Sequence, residues 1–273
     1  MHAALLQLNC SDDPAVNLPL TLGMVDEAAG VGAQFIATPE VTNIVSRSRP
    51  HQRAVLQEQS VEPTLAALRE KAAEHGVWVL IGSLALREGE HFVNRSFLIG
   101  PGGEIAAHYD KVHMFDVAIS AQEEYHESAY FRPGTRAVLA DTPFGKLGMA
   151  ICYDMRFPAL SSALAQAGAQ IIAYPSAFSV VTGAAHWESL LRARAIENGA
   201  WVIAPAQTGT HTAADGNARK TYGHSLVVSP WGDIVLDAGT LPGVHSFELD
   251  MAQVSEARKR IPSLAHRREF QGP

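Results

Sequence analysis

The chain has 273 residues, 47% of them hydrophobic and 18% charged, with a formal net charge of −7. That length allows one large α/β domain or two small ones, and the balance is that of a globular chain able to bury a sizeable core. The acidic balance and the lack of a long basic run argue against a nucleic-acid or membrane-surface partner. No apolar stretch approaches the ~18 residues of a membrane helix.

Met1 to Asn9 is too short and lacks the basic start of an export signal. Only Cys10 and Cys152 are cysteines, and both read as free thiols in a reducing compartment, so a cytoplasmic protein is expected. Residues 3–9 alternate as a strand that Cys10-Ser11-Asp12-Asp13-Pro14 breaks, and a helix is expected from about Asn17, with Pro19 in its first turn. The run 32–40 reads as a buried strand ending at Glu40, and residues 41–59 are polar and irregular. Ser60 can cap a helix whose Leu65, Leu68 and Ala72 share one face and which stops at Gly76. Strands follow at 77–82, 92–99 and 104–109, the last two joined by Pro101-Gly102-Gly103.

The second half repeats this plan. Gly32-Ala33-Gln34-Phe35-Ile36-Ala37-Thr38-Pro39-Glu40 matches Gly168-Ala169-Gln170-Ile171-Ile172-Ala173-Tyr174-Pro175-Ser176. Glu74 to Val79 matches Glu197 to Val202, and Ser96 to Ile105 matches Ser225 to Ile234, in the same order. Two β-α-β-α-β-β halves are the economical reading, too intimately built to be separate domains. Their strands are apolar on both faces, so the two sheets are expected to pack on each other as one domain, a four-layer α-β-β-α sandwich over residues 1–273. A long loop at 110–136 has no counterpart in the other half, and such loops are often functional.

Gly148 to Pro158 takes an apolar strand to Cys152 and then into a helical pattern with Pro158 near its start. A thiol at that junction sits in the positive field of the helix, which favours the thiolate. A nucleophile and a buried structural cysteine both fit Cys152 at this point. Glu40 ends another strand, and ligands of α/β sheets gather at such ends, so the two can share a cleft where a buried carboxylate takes the thiol proton. A helix-capping or salt-bridging acid fits Glu40 as well. Lys111 stands where a strand enters the long loop, either as an oxyanion-stabilising ammonium or as a surface lysine. Glu127, in the same loop, either orients Lys111 or the attacking water, or is simply solvated.

Together, Glu40 after its strand, Lys111 in Tyr-Asp-Lys-Val-His-Met-Phe-Asp and Cys152 in Cys-Tyr-Asp-Met-Arg-Phe-Pro resemble the nitrilase (carbon–nitrogen hydrolase) superfamily. The likeness covers nearly the whole chain, including Tyr174 to Phe178, Thr182 to Glu188, Arg192 to Glu197, Tyr222 to Ser225 and the Arg267-Arg268 tail. It implies the four-layer sandwich, Cys152 as nucleophile and Glu40 as general base. Lys111 with the backbone N–H of Tyr153 would hold the oxyanion, and Glu127 would be the family's second glutamate. The reaction implied is amide hydrolysis of a small carboxylate-bearing substrate through a thioester, releasing ammonia, with neither a metal nor an organic cofactor.

The branch resembled most acts on ω-amides of 2-oxo acids, deaminated glutathione in particular. Other candidates are 2-oxoglutaramate and further small amides or N-carbamoyl compounds. Ala159 and the stretch Thr38 to Asn43 depart from that branch's pattern. Arg156, four residues after Cys152, is expected to grip a substrate carboxylate, with Asp154 as an alternative partner. Phe178 and Thr182 match pocket positions of related amidases, although Phe178 also reads as core. His108, His113, His186, His211 and His224 show no zinc-site spacing and read as surface or packing residues. A papain-like Cys–His hydrolase leaves Glu40 and Lys111 unexplained, and an inactive sandwich serving as a scaffold leaves all three unexplained. The resemblance further implies a homodimer, or a larger homo-oligomer, paired across the helix bearing Arg192 and Arg194 and through the tail at about 262–273.

Overall fold

The computed structural model describes residues 1–120 and 123–272; Ala121 and Gln122 of the long loop and Pro273 of the tail lie outside it. The first half runs β1 (His2–Gln7), α1 (Pro14–Gly30), β2 (Phe35–Ala37), α2 (Arg49–Val55), α3 (Pro63–His75), β3 (Trp78–Glu88), β4 (His91–Ile99) and β5 (Ile105–Asp110). The unmatched loop carries a small hairpin, β6 (Asp116–Ser120) and β7 (Glu123–His126). The second half runs β8 (Val138–Thr142), β9 (Gly145–Met149), α4 (Pro158–Gln166), β10 (Ile171–Ala173), α5 (Val180–Asn198) and β11 (Trp201–Ala204). A hairpin of β12 (Thr208–His211) and β13 (Arg219–Tyr222) follows, then β14 (Leu226–Val228), β15 (Ile234–Asp237), β16 (Gly243–Glu248) and α6 (Ala252–Arg260).

Two helix starts differ from the sequence expectation. Asp13 caps α1 by accepting the Ala15 N–H at 2.9 Å, and Pro14 takes the first helical position, which needs no N–H. Pro19 therefore falls inside the helix rather than in its first turn. The cap of α3 is Glu62, whose carboxylate takes the Leu65 N–H, and not Ser60, which lies in a short 3-10 turn. The other end is as expected: Gly76 closes α3 at φ 64°, which favours glycine.

The repeat is legible in the sheets. One sheet has the order β16-β1-β2-β3-β4-β5, the other β8-β9-β10-β11-β14-β15. In each, three parallel strands form the centre, flanked by one antiparallel strand on one side and two on the other. The first sheet is completed by the last strand of the chain, so the halves close on each other. Ala3 and Leu5 pack with Leu147, Met149 and Ile171 of the opposite sheet, while Ala4 and Leu6 pack with Val25 and Ala28 of α1 and Leu68 of α3. Trp187 and Leu191 of α5 cover the outer face of the second sheet with Leu164 of α4. Four layers result, with the carboxyl ends of both parallel triplets opening at the same edge.

Gly82 marks how closely the sheets approach there. A Cβ at this position would stand 2.0 Å from the Thr38 carbonyl oxygen and 2.4 Å from Cβ of Pro175. Only glycine fits between the strand ends that lead to Glu40 and to Ala177.

Candidate active site

Three strand ends build the site. Glu40 lies just past β2, Cys152 just past β9 and Ala177 just past β10. Val41 and Cys152 adopt φ of 51° and 48°, a left-handed backbone that is costly for side chains with a Cβ and worst for a β-branched one. Both bends are held from several sides. Ser83 Oγ accepts the Val41 N–H at 2.8 Å, and Thr42 donates its hydroxyl to the Pro39 carbonyl at 2.8 Å. Cys152 N–H bonds the Pro175 carbonyl at 3.0 Å. The buried Asp154 carboxylate accepts from Ile151 N–H, His113 N–H and Tyr109 O–H at 2.9, 3.0 and 2.8 Å, which ties the bend to β5 and the long loop.

Lys111 Nζ lies 2.9 Å from Glu40 Oε1 and 2.9 and 3.1 Å from the two oxygens of Glu127. Asn94 Nδ2 reaches Glu40 Oε1 at 2.9 Å, and the Ala177 N–H reaches Glu40 Oε2 at 2.8 Å. The Cys152 thiol shares the cavity with the Glu40 carboxylate and Lys111, close enough that both charges act on its titration. Glu127 is anchored in turn by the Phe115 N–H at 2.7 Å. Glu40, Lys111 and Cys152 are all buried.

Burial pushes the Glu40 carboxyl upward, but Lys111, Arg219 and the Cys152 thiol outweigh it and hold Glu40 below the usual carboxylate range. Burial works against the charge of Lys111, yet Glu127 and Glu40 hold the ammonium well above its ordinary value. Burial and the adjacent Glu40 carboxylate raise the Cys152 thiol far above the usual range, and Lys111 offsets only part of this. At neutral pH the group is thus carboxylate, ammonium and neutral thiol. The expected helix-stabilised thiolate is corrected: Cys152–Arg156 is a single 3-10 turn whose dipole is small beside burial and the negative charge of Glu40.

Glu40, Lys111, Glu127, Cys152, Phe178 and Thr182 line one cavity of about 250 Å³. Arg156 and Tyr153 are not part of that lining. The Arg156 guanidinium lies 5.4 Å from the Phe178 ring and 3.2 Å from His186 Nδ1. Tyr153 packs its ring edge-on against Phe115, with its N–H in the first turn after Cys152, where helical N–H groups lack partners within the turn. Asp154, the alternative partner for Arg156, is paired with His113 at 2.7 Å. The other histidines are likewise engaged: His108 packs near Phe97, His211 bonds Thr221 and the Cys10 carbonyl, and His224 pairs with Asp237. Arg194 is buried and donates to the Met155 carbonyl at 2.7 Å, so it belongs to the interior rather than to an exposed helix face.

Sequence reading missed Asn94, the Ala177 N–H, and three arginines that line the cavity, Arg47, Arg49 and Arg219. Asn94 carried a weak signal, a short polar side chain directly after the apolar pair Phe92-Val93 of β4. Arg47 and Arg49 lay in the polar stretch after Glu40. Arg219 gave none, because the β12–β13 hairpin that carries it was not foreseen.

The carbon–nitrogen hydrolase family model matches residues 2–259. The chain is 40% identical over 271 residues to the deaminated glutathione amidase of Mus musculus, covering 97% of this chain and 82% of that one. Its fold superposes on the NitFhit protein of C. elegans with a TM-score of 0.89 at 35% identity, covering 98% of this chain and 65% of that longer one. It superposes on Nit3 of Saccharomyces cerevisiae, a member of branch 10 of the nitrilase superfamily, with a TM-score of 0.84 at 30% identity, covering 96% and 94%. The chain belongs to the carbon–nitrogen hydrolase family, and so to the hydrolases that cleave non-peptide C–N bonds in linear amides.

Proposed function

We propose that Cys152 is the nucleophile of an amidase whose preferred substrate is deaminated glutathione. The observation that supports this most is the convergence of Glu40, Lys111 and Cys152 in one cavity of a chain so similar to proteins of that name. Glu40, kept ionised by Lys111, takes the thiol proton as sulfur attacks the amide carbon, so the high thiol pKa is no obstacle to attack. Lys111 Nζ and the Tyr153 N–H hold the developing oxyanion. Glu40 then protonates the departing nitrogen and the thioester remains. Finally Glu40 deprotonates water, which attacks the thioester carbon, releasing the acid and restoring the thiol. Glu127 and Asn94 hold Lys111 and Glu40 in place throughout.

Deaminated glutathione is γ-glutamylcysteinylglycine with an oxo group in place of the amino group. Its scissile amide joins a 2-oxoglutaryl group to cysteinylglycine, so the dipeptide is the leaving group, and ammonia is released only from primary amides such as 2-oxoglutaramate. Initial rates on deaminated glutathione, 2-oxoglutaramate, an aliphatic amide and an N-carbamoyl compound test this reading. The highest kcat/KM is expected on deaminated glutathione; a preference for the aliphatic or N-carbamoyl compound contradicts it. A homodimer in the cytoplasm is proposed on the same resemblance, and light scattering in solution checks the assembly.

A further inference from the structure

The cavity holds three guanidinium groups, of Arg47, Arg49 and Arg219, and among the described residues none has a carboxylate within ion-pair distance. Each is instead braced by an aromatic ring. Arg47 and Arg219 both lie 5.5 Å from the ring of Tyr125, and Arg49 lies 4.5 Å from that of Tyr130. Arg219 donates one Nη2–H to the Ala177 carbonyl, while its Nε is buried without a partner. Four buried side-chain polar atoms among the described residues lack a partner, and three of them line this cavity: Arg219 Nε, Thr182 Oγ1 and Asn94 Oδ1. Of these three atoms Arg219 Nε and the Thr182 hydroxyl can donate to an anion, while Asn94 Oδ1 can only accept. Burial holds the Arg49 guanidinium below its usual range, opposed by the Glu127 carboxylate and reinforced to a smaller degree by Arg219, and its Nη1 donates to Gln52 Oε1 at 2.6 Å. Guanidinium groups without an ion-pair partner are stabilised by an anion, and their planar fork matches a carboxylate.

We propose that Arg49 and Arg219, with Arg47 at the rim, form the carboxylate-binding subsite of the Cys152 cavity and select amides that carry a carboxylate over neutral ones. Arg156, outside the lining, is not that subsite. The assignment rests on the amidase reading of the cavity and names the substrate feature that it recognises.

The test has two readouts on wild type, Arg49→Gln, Arg219→Gln and Arg49→Lys. The first is protection of Cys152 from iodoacetamide by 2-oxoglutarate, with Glu40 taking the thiol proton as sulfur attacks the reagent; it is followed at the Cys152 peptide by mass spectrometry and needs no turnover. Either glutamine variant is expected to weaken protection by roughly tenfold to a hundredfold, the range for hydrogen bonds to charged groups. Arg49→Lys, which keeps the charge and loses the fork, is expected to fall between. The second is the ratio of kcat/KM on 2-oxoglutaramate to that on butyramide, expected to drop at least tenfold, mainly through KM. Undiminished protection, or an equal loss on both amides in variants with wild-type melting temperatures, overturns the subsite. If the wild type hydrolyses no amide, the amidase reading fails while the protection assay still decides the arginines.

Discussion

Asn94 donates from Nδ2 to Oε1 of Glu40 at 2.9 Å, from a buried position on β4. Oε1 also takes Lys111, which leaves Oε2 toward the Ala177 N–H. A carboxylate fixed on one oxygen cannot rotate away from the thiol. Asn94→Ala should therefore lower kcat by roughly tenfold to a hundredfold, as expected for a hydrogen bond to a charged group, with a smaller change in KM. Steady-state kinetics, with circular dichroism to confirm folding, checks this. Asn94→Asp should do worse, and its activity should move to higher pH, because a second carboxylate beside Glu40 raises the pKa of the base.

The protonation state of Cys152 gives a second prediction. Burial and Glu40 raise the thiol, so its thiolate absorbance at 240 nm should not appear through pH 9 in the wild type. In Glu40→Gln the negative neighbour is gone while Lys111 remains, so the titration should move to lower pH even as hydrolysis is lost. Subtracting the Cys152→Ala spectrum removes the contribution of Cys10, itself pushed up to about 12 by burial.

Gly82 separates the two strand ends on which the site is built. The Cβ of Gly82→Ala would stand 2.0 Å from backbone, which no side-chain rotation relieves. Loss of roughly 3 kcal/mol is expected, at the upper end for overpacking, together with reduced kcat as Glu40 is displaced from Cys152. Urea unfolding and kinetics on the same preparation test both effects.

His211 predicts a loss of stability in acid. Burial lowers its pKa from 6.5 to about 4, and its ring is consistent with a neutral tautomer donating from Nδ1 to the Cys10 carbonyl and accepting at Nε2 from Thr221. The unfolded chain binds a proton below pH 6.5 where the folded one does not, so stability falls as the pH drops from 6.5 to about 4 and levels off below. The contribution reaches about 3 kcal/mol. His211→Gln should lose roughly 2 kcal/mol less between pH 7 and pH 4.5, measured by urea unfolding at both.

The repeat, the central strands and the Glu40, Lys111 and Cys152 motifs were legible in the sequence because each is local: a buried run, a proline, a strand end. What escaped depends on parts of the chain far apart. The state of the thiol is set by burial and by Glu40, which is distant in sequence, whereas the local pattern showed only a helix to come. The flanking strands β8 and β16 have ordinary composition and are defined by their neighbours. Arg156 looked well placed by its spacing from Cys152, but the turn carries it onto Phe178 and His186, and the cavity's cations come from Arg47, Arg49 and a hairpin strand. At α3, Glu62 outcompeted Ser60 because Pro63 fixes the first helical residue and so the cap before it.

The central claim is that Cys152 carries the reaction. Hydrolysis by Cys152→Ala, on whichever amide the wild type turns over fastest, tests it most directly. The variant should melt close to the wild type and show no turnover above the uncatalysed rate; measurable hydrolysis by the folded variant contradicts the account.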